Sequence, residues 1–275
     1  MSIVISSASI MLNRLLPPAD AATAHEIVTG LGLHERSSGV PAPDGRQRRP
    51  YLLLNMVATL DGRATLGGRS GPISDDADRA LFHGLRSVVD GVMAGAGTVR
   101  AERYGPIVRD PDTRRLRRER GLREQPRACV VSAGLRFPPD LPLLCDPASE
   151  IVFLTPSQVS LPETAARVEY VRARRDDGSL DLSAALSELH DRLHVRTLLC
   201  EGGPHLNAAL LSAGLVDELF LSVAPLLAGE DPASERPPLR ILAGVDLDPA
   251  LPLELLSVLE LDSRLFLRYR LRDGG

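Results

Sequence analysis

The amino-acid sequence predicts a three-layer α/β protein, in which a mostly parallel central β-sheet carries helices on both faces and ends in an antiparallel C-terminal hairpin. Short apolar segments typical of buried strands alternate with helical segments through most of the chain, as in proteins that are built from parallel β–α units. Two of these strands lead directly into glycine-rich turns, and the last two strands follow each other without an intervening helix. These observations define the fold class.

The N-terminal part, residues 1–49, is predicted to be an arm with a short helix at 21–31. Residues 37–50 are rich in Ser, Gly, Pro and Arg, which is typical of a linker or a surface segment. The compact domain then covers residues 50–275 and begins with a buried strand at 51–57. The sequence therefore predicts one large domain behind a peripheral arm.

The first helix of the domain is predicted from its cap and its apolar face. Ser74 is placed to cap the helix, and the aspartates that follow it complement the positive end of the helix dipole. Leu81, Phe82 and Leu85 recur at helical spacing and are expected to be buried. The next strand is predicted at 87–94.

The remainder of the domain continues the alternation of strands and helices. The arginine-rich segment 113–120 is interpreted as a solvated loop or a short helix. Further strands are predicted at 128–132, 151–155, 195–200 and 219–224, helices at 182–193 and 204–213, and a hairpin at 253–261 and 265–271.

Composition excludes several classes of protein. The chain has 275 residues, 44% of them hydrophobic, and a formal net charge of −4, so neither nucleic-acid nor membrane binding is expected. Cys129, Cys145 and Cys200 form no C-x-x-C pair, which favours a cytoplasmic protein without disulfides. His190 and His194 share a helix face, but no carboxylate completes a metal site, so no metal is predicted.

Two strand ends carry glycine turns that suit a phosphate ligand. One turn, residues 202–204, leads into a helix, and the other covers residues 95–98. Glycine allows a ligand to approach the backbone, and a helix N-terminus favours an anion. If the two strands are parallel neighbours, the turns hold one dinucleotide from two sides. The alternative is a plain tight turn at each strand end. Neither turn has the G-x-G-x-x-G pattern, which disfavours a standard Rossmann dehydrogenase.

Five motifs, taken together and in this order, identify a family. They are residues 55–63, the pair Leu85-Arg86, and residues 95–99, 201–204 and 214–219. This pattern resembles the riboflavin-pathway pyrimidine reductases, the reductase domain of bifunctional deaminase/reductase proteins. The resemblance implies a dihydrofolate-reductase-like fold, NADPH as cofactor, and hydride transfer to the ribose C1′ of 5-amino-6-(5-phosphoribosylamino)uracil.

The resemblance also implies roles for individual residues. Expected cofactor contacts are Val57, Ala58, Thr59, Gly95, Gly97, Thr98, Glu102, Ser132, Gly202, Gly203, Pro204, His205 and Leu206. Expected substrate contacts are Ser70, Arg86, Arg109 and Glu201. Asp61 and Glu201 are the candidate catalytic residues.

Some of these residues have ordinary structural alternatives. Arg86 could cap a helix C-terminus, and Asp61 could shape a turn before Gly62. The position of Glu201 favours a functional role, because a carboxylate at the end of a buried strand is costly unless it is paired. Pro72 stands where many family members carry tryptophan, and residues 102–106 replace the usual Asp-Asp-Pro segment.

The sequence leaves open two alternative functions and the oligomeric state. A dihydrofolate-type reductase would use the same cofactor and fold, and a non-catalytic nucleotide-binding module would need only the glycine turns. The zinc motif of a deaminase domain is absent from the sequence. The apolar segment 251–271 predicts a symmetric homodimer, and the alternative is a monomer in which residues 1–49 cover this surface.

Overall fold

The computed structural model describes residues 10–33, 39–43, 45, 48–230 and 238–272. The strands are Met11–Leu16 (β1), Pro18–Thr23 (β2), Val40–Pro41 (β3), Arg48–Arg49 (β4), Tyr51–Thr59 (β5), Gly91–Gly95 (β6), Arg127–Val131 (β7), Glu150–Thr155 (β8), Arg167–Arg172 (β9), Thr197–Cys200 (β10), Glu218–Ala224 (β11), Leu253–Leu261 (β12) and Arg264–Leu271 (β13). The helices are Ala24–Thr29 (α1), Asp76–Arg86 (α2), Ala96–Ala101 (α3), Pro111–Glu119 (α4), Pro142–Cys145 (α5), Leu182–Asp191 (α6) and Pro204–Ser212 (α7).

The central sheet of the described residues has 11 strands in the order β2-β1-β12-β13-β11-β5-β10-β6-β7-β8-β9. The seven strands from β11 to β9 are parallel. The hairpin of β12 and β13 is antiparallel and joins the parallel part through β11. The predicted fold class, a mostly parallel sheet with an antiparallel C-terminal hairpin, is confirmed.

Neighbouring residues of one strand face two different cores. Leu53 of β5 packs toward α2 and α3 with Leu85 and Val99. Leu52 and its alternate neighbour Leu54 pack on the other face toward α6 and α7. Side chains of a strand point alternately to opposite faces, so a strand that is apolar throughout requires helices on both faces. The three-layer arrangement follows from this pattern.

The N-terminal segment contributes more structure than the sequence analysis predicted. The expected short helix is present as α1, but the residues before it form β1 and β2, which the prediction missed. Asn13 lies opposite Glu260, so β1 extends the sheet along the edge of β12. Leu12 is completely buried beside Leu259 and Phe266 of the hairpin. Part of the predicted arm therefore belongs to the central sheet and its core.

Two local predictions need correction. The N-cap of α2 is Asp75, whose carboxylate accepts from the Asp78 amide, and Ser74 lies one residue before it. The arginine-rich segment 113–120 lies largely in α4, which agrees with the short-helix alternative, but it is not wholly solvated as predicted. Its Arg117 side chain is fully buried, so this segment is not simply a solvated surface.

Membrane-spanning helices and metal-ligand clusters are both absent from the residues that the structure describes. No helix of the described residues is long and apolar enough to cross a membrane. The same part of the chain contains no group of three or more His, Cys, Asp or Glu side chains arranged to hold a metal ion. The predicted linker at 37–50 lies partly outside the described residues.

Candidate active site

The two glycine turns meet at the carboxyl ends of adjacent parallel strands. Gly95 ends β6 and Gly202 follows β10, and the Gly95 amide donates to the Gly202 carbonyl at 2.7 Å. Gly202 has a φ of +87°, which a side chain would strain. A Cβ atom on Gly203 would lie only 2.8 Å from the Thr98 hydroxyl oxygen. The turns therefore form one continuous backbone surface with no room for a side chain at Gly203.

A cavity of about 290 Å³, which we call the central cavity, opens beside these turns. Its walls come from β5, from α2 and from the segment after α3. Seven of the residues predicted from the sequence line it: Val57, Ser70, Arg86, Thr98, Glu102, Arg109 and Glu201. Substrate and cofactor candidates thus share one cavity.

The floor of the central cavity is a buried cluster of three side chains. Arg86 binds both oxygens of Glu201, from Nε to Oε1 and from Nη2 to Oε2, each at 2.7 Å. The Tyr104 hydroxyl donates to Glu201 Oε2 at 2.5 Å. The Arg86 guanidinium also lies 4.1 Å from the centre of the Phe82 ring. These contacts fix the orientation of the carboxylate.

The electrostatics of this cluster favour a charged Arg86 beside a protonated Tyr104 phenol. Burial opposes the charge on Arg86, but the carboxylate of Glu201 more than offsets this and raises the pKa of Arg86. Burial and the neighbouring Glu201 charge raise the pKa of Tyr104 well above its ordinary value. The phenol therefore remains a hydrogen-bond donor at neutral pH. Since two of the three guanidinium nitrogens of Arg86 bind Glu201, Arg86 does more than cap its helix.

Ser70 and Glu102 contact each other across the mouth of the cavity. Glu102 Oε1 accepts from the Ser70 amide at 2.9 Å and from its hydroxyl at 3.0 Å. Glu102, which follows the glycine turn at 95–98, therefore anchors the loop that carries the substrate candidate Ser70. Their predicted contacts with cofactor and substrate stay predictions.

Ser132 and Gly97 lie in a separate open cleft at the end of β7. Arg100 and Arg136 also line this cleft. Ser132 accepts a hydrogen bond from the Leu135 amide at 3.0 Å. The position of this cleft at the end of β7 and the charge of its two arginines suit the end of a dinucleotide that lies farthest from the central cavity.

Asp61 lies outside the set of residues that line the central cavity. Its carboxylate accepts from the Thr59 hydroxyl at 2.5 Å and from the amides of Ala228 and Gly229 at 3.1 and 2.6 Å. The Thr59 hydroxyl and the Gly229 amide lower the pKa of Asp61, which opposes a role as proton donor. The contacts support the alternative that Asp61 shapes a turn, and its catalytic role stays a prediction.

The remaining cofactor candidates surround the start of α7 and the end of β5. Ala58 and Leu206 are buried. The side chain of His205 lies beside Gly244, and the Pro204 carbonyl accepts from the Ala243 amide at 3.3 Å. These residues form the backbone frame of the glycine turn.

Sequence reasoning missed Tyr104, the third member of the buried cluster, and His83, which also lines the cavity. Tyr104 lies in segment 102–106, where the chain departs from the family pattern. A departure from the family pattern so soon after the glycine turn at 95–98 was the signal in the sequence that could have indicated a role for Tyr104. The partnership between Arg86 and Glu201 was not visible, because 115 residues separate them in the chain.

The comparisons with known proteins agree with this geometry. Residues 50–267 match the model of the RibD C-terminal domain, and the chain belongs to that family. It is 32% identical to 2,5-diamino-6-ribosylamino-4(3H)-pyrimidinone 5′-phosphate reductase of Methanothermobacter thermautotrophicus, over 66% of this chain and 80% of that protein. It is 30% identical to the riboflavin biosynthesis protein RibD of Escherichia coli, over 66% of this chain and 50% of that protein.

A solved structure shares the fold. The crystal structure of a pyrimidine reductase-like protein from Corynebacterium diphtheriae matches with a TM-score of 0.69 and 24% sequence identity, over 92% of this chain and 100% of the other. The predicted resemblance to the riboflavin-pathway pyrimidine reductases is confirmed.

Proposed function

We propose that this chain is an NADPH-dependent reductase that acts on a phosphorylated ribosylaminopyrimidine of riboflavin biosynthesis. The candidate substrates are 5-amino-6-(5-phosphoribosylamino)uracil and 2,5-diamino-6-ribosylamino-4(3H)-pyrimidinone 5′-phosphate, the second taken from the name of the methanogen relative. The observation that carries the proposal is the junction of the two glycine turns beside a cavity with the hydrogen-bonded Arg86–Glu201 pair on its floor.

The residues at this junction fit a dinucleotide. A Cβ atom on Gly97 would meet no other atom within 4 Å, so a ligand can approach the backbone of this turn. The first-turn amides of α7, those of His205 and Leu206, have no partner within the helix and are available to donate to an anion. The cleft with Ser132 continues the same surface. When bound, NADPH supplies the hydride, and the glycine turns orient it.

Arg109 is the best candidate for the substrate phosphate. The chain contains no lysine, so side-chain recognition of a phosphate depends on arginine and histidine. Two other arginines that line the central cavity are already paired, Arg79 with Asp76 and Arg103 with Asp140. Arg109 is exposed at the cavity and forms no ion pair with a described acidic side chain. A free guanidinium suits a phosphate because it donates two parallel hydrogen bonds.

Glu201 is assigned to the reacting end of the substrate. Its carboxylate can accept a hydrogen bond from a sugar hydroxyl or an amine next to the carbon that receives the hydride. Arg86 orients the carboxylate through two hydrogen bonds, and in the proposal this role replaces the predicted direct substrate contact of Arg86.

The test is NADPH oxidation followed at 340 nm with each of the two pyrimidines and with dihydrofolate. Turnover of a pyrimidine with none for dihydrofolate is the expected result. Preference for dihydrofolate would favour the dihydrofolate-type alternative, and NADPH binding without any turnover would favour a binding module. A Glu201→Gln variant serves as the site control, because it keeps the shape and removes the charge.

The cytoplasmic location and the symmetric homodimer belong to the same proposal. The three cysteines are free thiols, which fits a reducing compartment. The edge of β12 is covered by β1, as the monomer alternative required. However, Leu253, Leu255 and Leu265 of the hairpin remain between 36% and 41% exposed, so an apolar surface is still available to a second copy.

A further inference from the structure

Tyr104 is fixed on the floor of the central cavity by its backbone as well as by its hydroxyl. Its amide donates to the Val99 carbonyl at 3.0 Å, and its carbonyl accepts from the Leu143 amide at 2.9 Å. The ring lies 5.6 Å from the guanidinium of Arg86. The proposed function gives this tyrosine no role, although its hydroxyl touches the candidate catalytic carboxylate.

The acceptor sites of Glu201 show what the Tyr104 hydroxyl adds. Each carboxylate oxygen offers about two acceptor sites. Oε2 accepts from Arg86 Nη2 and from Tyr104, so both of its sites are occupied. Among the described residues, Oε1 accepts only from Arg86 Nε and retains one open site. Rotation of the carboxylate would break two charge-assisted hydrogen bonds to Arg86.

We propose that Tyr104 is a positioning residue that makes Glu201 accept a substrate hydrogen bond at Oε1 alone. This inference rests on the proposed function of the cavity. With its proton committed to Oε2, the phenolic oxygen can only accept hydrogen bonds from a ligand. Glu201 and Tyr104 therefore present acceptors, and the matching ligand group is a hydroxyl or an amine of a sugar or sugar amine. Such donors flank the reacting carbon of a ribosylamine.

Protonation of the phenol is consistent with this role. Burial and the Glu201 charge both raise the pKa of Tyr104, so the hydroxyl keeps its proton across the range in which the enzyme would work. The charged groups that face it are Glu201 and Arg86 on the floor, and the thiol of Cys200 adds a weaker effect. Removal of the Glu201 charge should therefore make Tyr104 easier to ionise.

The first experiment is Tyr104→Phe, which removes one oxygen atom and keeps the ring against Arg86. We expect kcat with 5-amino-6-(5-phosphoribosylamino)uracil to fall about ten- to a hundred-fold, the size expected for a hydrogen bond to a charged group. KM should stay within about three-fold, and NADPH affinity should not change, because the variant alters orientation rather than uniform binding. Tyr269→Phe on β13 is the matched control and should keep wild-type kinetics. A folded Tyr104→Phe variant with wild-type kcat would overturn the inference.

A double-variant comparison separates action through Glu201 from an independent effect. If Tyr104 acts only through Glu201, adding Tyr104→Phe to Glu201→Gln should change the residual kcat by less than about two-fold. If the double variant instead shows the product of the two single reductions in kcat, the inference is contradicted. Failure of the wild type to reduce either pyrimidine would instead contradict the proposed function.

A spectroscopic measurement tests the contact without activity. The absorbance difference between wild type and Tyr104→Phe near 295 nm isolates the ionisation of Tyr104. In the Glu201→Gln background this ionisation should begin at lower pH, since the neighbouring negative charge is gone. An unchanged titration would show that Tyr104 does not contact Glu201 in solution.

Discussion

Removal of the Arg86 guanidinium should destabilise the folded protein as well as impair the reaction. The side chains of Arg86 and Glu201 are only 11% and 3% exposed, so Arg86→Ala leaves a buried carboxylate with Tyr104 as its remaining side-chain partner. Breaking a buried pair from one side costs about 3–5 kcal/mol. With about 2–4 °C of melting temperature per kcal/mol for a domain of this size, Tm should fall by about 6–20 °C.

Urea unfolding of the ligand-free protein, followed by circular dichroism, measures this loss. Arg109→Ala is the control, because Arg109 is exposed and should change stability by less than about 0.5 kcal/mol. The double variant Arg86→Ala/Glu201→Gln should recover part of the loss, since it removes the stranded charge. If Arg86→Ala unfolds at the same urea concentration as wild type, the ion pair does not hold this part of the fold.

Three substitutions and one measurement of mass test the site, the fold and the assembly. Gly203→Val should abolish NADPH binding in a fluorescence titration while the urea midpoint shows a folded protein, because its side chain would displace the expected cofactor contact Thr98 and block approach to the backbone of the turn; unchanged affinity would contradict the placement of the cofactor. Arg109→Ala should raise the KM for the phosphorylated pyrimidine about ten- to a hundred-fold with NADPH affinity intact, and an altered cofactor affinity with a normal KM would speak against the phosphate role. Arg117→Met should lower the unfolding free energy by about 2 kcal/mol or more, because Arg117 donates to three carbonyl groups; a stability equal to wild type would refute this. Sedimentation at micromolar concentration should give the mass of two 29.6 kDa chains, and a constant single-chain mass would rule out the homodimer.

Local patterns were sufficient to predict the parts of the fold that depend on neighbours in sequence. The apolar run at 51–57 is a buried strand because burial on both faces requires it. The glycine turns at 95–97 and 202–203 lie at strand ends because the apolar run stops there. The C-terminal hairpin follows from two apolar segments around a short turn.

Pairings between distant segments could not be predicted in the same way. The sequence of β1 contains Asn13 and Arg14 and has no regular alternation, yet it pairs with β12 because that edge was available. In the same way, nothing near Arg86 indicates that its partner lies after β10. Tyr104 resembles an ordinary loop residue until the fold brings it to Glu201. The cavity lining was predicted in part from the family resemblance, whereas its internal hydrogen bonds depend on tertiary structure.

The position of the buried Arg86–Glu201 pair depends on a residue that does not line the central cavity. The buried Arg117 of α4 donates to the carbonyls of Arg86 and Val89 at 2.8 and 2.9 Å, which are groups at and just beyond the C-terminal end of α2 that lack helical partners. Arg117 therefore fixes the backbone of Arg86 by a hydrogen bond, and the side chain of Arg86 in turn fixes the carboxylate of Glu201. Burial lowers the pKa of Arg117 to about 10, so it remains charged at neutral pH and keeps these bonds. The arginine-rich helix that resembles a solvated surface in sequence thus supports the floor of the candidate active site.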